Sequence, residues 1–137
     1  MKFFICPFDK DSGVFLGVPA ASAAGVLSLA ALLEAAEAGA PAPVRISLPA
    51  LLGRPDLPCF HGILLKDRLP QVVLLVPPID TDEDIPEESI VPLPGPLKER
   101  LPLIGGICFG GEDRLILLIE PGVAPGKSGG PERGDKP

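Results

Sequence analysis

The chain reads as an all-β protein, and three observations lead there. Leu103 to Glu120 contains two apolar runs, Ile104–Phe109, broken by Gly105 and Gly106, and Leu115–Ile119, separated by Gly110, Gly111 and a short polar stretch ending in Arg114. Two such runs joined by a short glycine-containing loop mark a β-hairpin. The chain also opens on a hairpin pattern, with strands over Lys2–Phe8 and Val14–Val18 around the polar turn Asp9–Gly13. Finally, 19 prolines and 16 glycines are spread over 137 residues, which favours many short elements joined by tight turns over long helices. The run Leu115–Ile119 does not alternate, so both its faces are expected to be buried. Each aliphatic side chain buried there contributes roughly 1.5–3 kcal/mol.

Between the two hairpins the elements follow in order. Pro19 stops the second strand, Ala20–Ala24 suits one helical turn, and Val26–Leu29 reads as a short strand. Ala30–Ala38 is built of strong helix formers, with Gly39 placed as a stop and Pro41 beyond it, so it is the one short Ala-rich helix expected. Pro43–Leu48 returns to strand character, Pro49–Leu52 forms a helical turn, and Arg54–Pro58 is a proline-flanked loop that divides the halves. Strands follow at Phe60–Lys66 and Gln71–Val76, and Pro77 and Pro78 force a bend or an edge. Pairing resumes at Thr81–Ile85, with a turn at Pro86–Ser89, a short strand at Ile90–Leu93 and a loop at Pro94–Pro102. Residues 121–137 are rich in Gly and Pro, with almost nothing to bury, and read as a flexible tail.

Composition excludes several functions. A net charge of −6 argues against nucleic acid, which needs a basic face to release counterions. No uninterrupted apolar segment approaches the length that spans a bilayer. The apolar start is cut short by Pro7 and Asp9, too early for a secretory signal. Cys6, Cys59 and Cys108 are odd in number and lack metal spacing, so reduced thiols and a cytoplasmic location are expected.

The second half carries a recognisable series: G-I-L-L-K, Q-V-V-L-L-V, D-I-P-E-E-S-I-V-P-L-P, L-I-G-G-I-C-F and D-R-L-I-L-L-I-E. Its order and spacing resemble the C-terminal portion of CheW-like domains. There, a strand pair is followed by an acidic segment, an I-x-P-x-P element and a closing D-R-L-I-type strand. In the first half, F-L-G-V-P-A-A-S-A-A-G-V-L-S-L resembles the family's second strand and the turn after it, and P-V-R-I-S-L-P-A-L-L-G its P-V-x-D-L-x-x-L-x-G element, with Ser47 in place of the usual Asp. The strand carrying N-L-R-G has no counterpart, and Ala30–Ala42 fills the gap with fewer residues.

The resemblance implies two small packed five-stranded SH3-like barrels, the first open to truncation by about a strand. Residues 1–120 would form the domain, with subdomains over about 1–56 and 57–120. It further implies a non-catalytic adaptor in chemotaxis-like signalling, coupling a CheA-type histidine kinase regulatory domain, a chemoreceptor, or both, through protein–protein contacts and without a cofactor. Positions matching the family's contact sites are Ala23, Gly25, Ile63 and Asp82. The first three would pack against a partner, and Asp82 would add charge complementarity.

Other chemistry is weaker in the residues. G-V-A-P-G-K-S, from Gly122 to Ser128, has the wrong glycine spacing for a phosphate loop, and Gly129, Gly130 and Pro131 prevent the helix that loop requires. Asp80, Asp82 and Asp84 begin like a calcium loop, but Ile85 and Val91 stand where Gly and Glu are needed. A solvated acidic edge explains them better. Cys59 and His61 would share a strand face, yet nothing in the sequence orients the base or stabilises an oxyanion. A different class of function, a small-ligand-binding β-barrel sensor, would need an enclosed pocket lined by residues such as Leu65, Val73 and Leu117.

Overall fold

The computed structural model describes residues 1–39, 43–68, 71–110 and 113–123. In chain order the elements are β1 (Lys2–Asp9), β2 (Val14–Pro19), β3 (Ala23–Ser28), α1 (Leu29–Glu37), β4 (Val44–Ser47) and α2 (Leu48–Leu51). They continue with β5 (His61–Leu65), β6 (Val72–Val76), β7 (Thr81–Asp84), α3 (Gly95–Arg100), β8 (Ile104–Phe109) and β9 (Leu115–Ile119). Single 3-10 turns lie at Lys10–Ser12, Ala20–Ser22, Glu87–Ser89 and Pro121–Val123. The β class expected from the sequence is borne out, and both expected hairpins are present.

Two compact units divide the chain otherwise than at residue 56. Among the described residues, one comprises 1–22 with 77–110 and 113–123, and the other 23–39, 43–68 and 71–76. Each brings together strands distant in sequence through a parallel pair, β2 with β9 in the first and β4 with β6 in the second.

The first unit is a five-stranded sheet of order β7-β1-β2-β9-β8. Its opening hairpin is set by Asp9, whose carboxylate accepts the Ser12 N–H, and by Gly13 at φ 72°. A side chain at Gly13 would collide with the Asp113 carbonyl, and the Gly13 carbonyl accepts the Leu115 N–H at 2.8 Å. This position therefore ties the first hairpin to the start of β9. Phe3, Ile5, Ile85, Cys108, Ile116 and Leu118 form the core cluster, with Phe15 and Ile90 packed against it. Cys6 is also buried, so Cys6 and Cys108 are core residues as their apolar strands suggested. On β9 only Ile116, Leu118 and Ile119 are fully buried, so its two faces are covered unequally.

The second unit is a four-stranded sheet of order β3-β5-β6-β4. The run V-V-L-L-V of β6 is central, with Val72, Val73, Leu74 and Val76 all buried, as its unbroken apolar sequence requires. Helix α1 starts one residue earlier than expected because Ser28 caps it, accepting the Ala31 N–H at 3.1 Å. Leu32 is its buried residue and reaches the sheet at Gly62, where an added Cβ would lie 2.7 Å from Leu32 Cδ1.

Several expectations are corrected. Among the described residues the second unit shows four strands, so the count of five is not confirmed there, and no ladder joins the end strands of either sheet. The helical turn expected at Pro49–Leu52 is present as α2, whereas α3 occupies the stretch read as a loop. Ile90–Leu93 supplies one bridge, Val91 to Ile107, instead of a strand. Pro121–Val123 forms a turn, whereas the rest of the expected tail, with most of the G-V-A-P-G-K-S stretch, lies outside the described residues.

Candidate functional site

The acidic segment folds as β7, an edge strand pairing antiparallel with β1 so that Asp82 faces Phe4 and Glu83 faces Phe3. Strand alternation sorts its carboxylates onto opposite faces. Asp82 and Asp84 point to solvent, with side chains 54% and 79% exposed. Lys2 Nζ lies 3.8 Å from Asp82, and the Met1 ammonium donates to Asp84 Oδ1 at 2.8 Å. The hydrogen bond from that ammonium, reinforced by its charge, holds the Asp84 carboxyl below the usual carboxylate range.

Glu83 turns the other way. Its Oε2 accepts from Arg114 Nη2 at 2.8 Å, and the Arg114 guanidinium carbon sits 4.9 Å from the centroid of the Phe15 ring. Arg114 also lines an open cleft of about 680 Å³ with Lys10, Asp11, Phe15, Phe109 and Asp113. Sequence reasoning missed this node. The Asp-Arg pair ahead of β9 was its only signal, and nothing local indicates that Glu83 lies opposite.

Of the positions expected to meet a partner, Asp82 belongs to the first unit and the other three to the second. Ala23 and Gly25 are half-buried on the edge strand β3, facing Leu65 and Leu64, and Ala24 between them is the extra residue of a bulge. Ile63 is a correction. It lies between Val26 and Leu74 in the sheet and is 0% exposed, so its side chain has no surface to offer a partner.

Cys59 is half-buried just before β5, its Sγ 3.9 Å from Ser47 Oγ. Burial pushes its thiol up, only partly offset by the Ser47 hydroxyl, the reverse of what activates a cysteine nucleophile. His61 opens β5, in register with Ser28 and Val76. No three His, Cys, Asp or Glu residues among those described converge as a metal site would require. The residues suggested for a sensor pocket separate: Leu65 and Val73 are buried in the second unit, and Leu117 is half-buried in the first. They do not line one sheet's interior.

These two sheets, with few helices between their strands, make a mostly β fold like that of CheW. The chain superposes on the crystal structure of the scaffolding protein TtCheW from Thermoanaerobacter tengcongensis with a TM-score of 0.58, covering 87% of this chain and 83% of that one at 14% identity. At that identity the likeness is one of fold, and at that level it bears out the resemblance carried by the order of motifs. No protein-family model and no curated protein sequence matches the chain.

Proposed function

We propose that the protein is a non-catalytic adaptor in chemotaxis-like signal transduction. It couples a CheA-type histidine kinase, through the kinase's regulatory domain, to a chemoreceptor or related partner in the cytoplasm. The observation that carries this reading is the CheW scaffold fold over most of both chains. Three further features agree with it. Most of the large aliphatic residues on the strands are buried or half-buried in packing. The acidic edge at Asp82 and Asp84 offers negative charge to a basic partner. No described helix is long and apolar enough to cross a membrane.

Within this reading Ala23 and Gly25 give a small, half-buried contact surface, and Asp82 gives charge complementarity. A pull-down of the purified chain by a CheA-type regulatory domain, and in parallel by a receptor helical bundle, tests it. Retention by either supports the adaptor. Retention by neither removes this function and leaves the fold.

A further inference from the structure

We draw no further inference here: the strongest candidate, the open cleft lined by the turn at Lys10–Gly13 and the ends of β8 and β9, sets the cations Lys10 and Arg114 beside the carboxylates Asp11 and Asp113, so its charge selects no class of ligand and nothing in the structure shows what covers it.

Discussion

Arg114, one residue before β9, donates to Glu83 on β7 at 2.8 Å, although β1 and β2 lie between those strands in the sheet order. A flat sheet would hold β7 and β9 three strand spacings apart, roughly 14 Å, so both long side chains must reach toward each other across one face of the sheet. The ion pair crosses the face that carries Phe3, and the guanidinium also covers the Phe15 ring beside the core cluster. Side chains of the pair are 33% and 32% exposed, which places it between a surface bridge and a buried one.

Glu83→Gln is therefore expected to cost about 0.5–1 kcal/mol, as partly exposed pairs do. Arg114→Ala is expected to cost about 1–2 kcal/mol, because it also uncovers an aromatic face. Urea unfolding of both single variants and the double variant measures this, and the cycle should give a favourable coupling.

Gly62 and Gly25 should respond in opposite ways to alanine. At Gly62 the new Cβ would lie 2.6 Å from Val73 Cγ2 and 2.7 Å from Leu32 Cδ1, so the Val73 and Leu32 side chains must give way. A loss of about 1–3 kcal/mol is expected. At Gly25 the nearest atom is Leu64 Cδ1 at 3.8 Å, an ordinary contact, and the change should fall within about 0.5 kcal/mol of wild type. Thermal unfolding of the two variants compares them directly.

Cys59 should react slowly. Burial raises its pKa, so at neutral pH the protein holds less thiolate than free cysteine does, and iodoacetamide should alkylate it more slowly. The rate should climb only as pH rises past the range of an ordinary thiol. Ser47→Ala removes the hydrogen bond that lowers this pKa and should slow the reaction further. It also deletes the cap that accepts the Ala50 N–H at 3.3 Å, at a cost of about 1 kcal/mol. Alkylation of the folded wild type faster than of free cysteine would contradict this reading.

Asp82 separates binding from stability. Its contact with Lys2 is long and both side chains are more than half exposed, so Asp82→Asn should leave stability within about 0.5 kcal/mol. If the strand presents charge to a basic partner, the same variant should weaken that complex and lessen its salt dependence. Chemical denaturation and binding titrations at two salt concentrations test the two halves.

Local chemistry made the hairpins legible: Gly13 and the acceptor Asp9 define one turn, and the glycines after Phe109 mark the other. Helix starts were misplaced because the capping roles of Ser28 and Ser47 were overlooked. α3 was hidden by its prolines, although Pro96 sits in the first turn, where a missing N–H costs nothing. The division into units was not legible at all. It follows from the parallel pairs β2–β9 and β4–β6, and nothing local to either strand specifies a partner so distant in sequence. For the same reason Ile63 looked available, whereas its neighbours Val26 and Leu74 come from separate strands that place it in the interior. Glu83 and Arg114 likewise meet only through the strand order of the sheet, which nothing local to either residue specifies.

Titration calorimetry of the full chain against a CheA-type kinase regulatory domain tests the adaptor reading most directly. Saturable binding at one site, with a dissociation constant in the micromolar range or tighter and weakened by Asp82→Lys, is the expected result. No binding up to about 100 µM of the regulatory domain, with the chain shown to be folded under the same conditions, would contradict it.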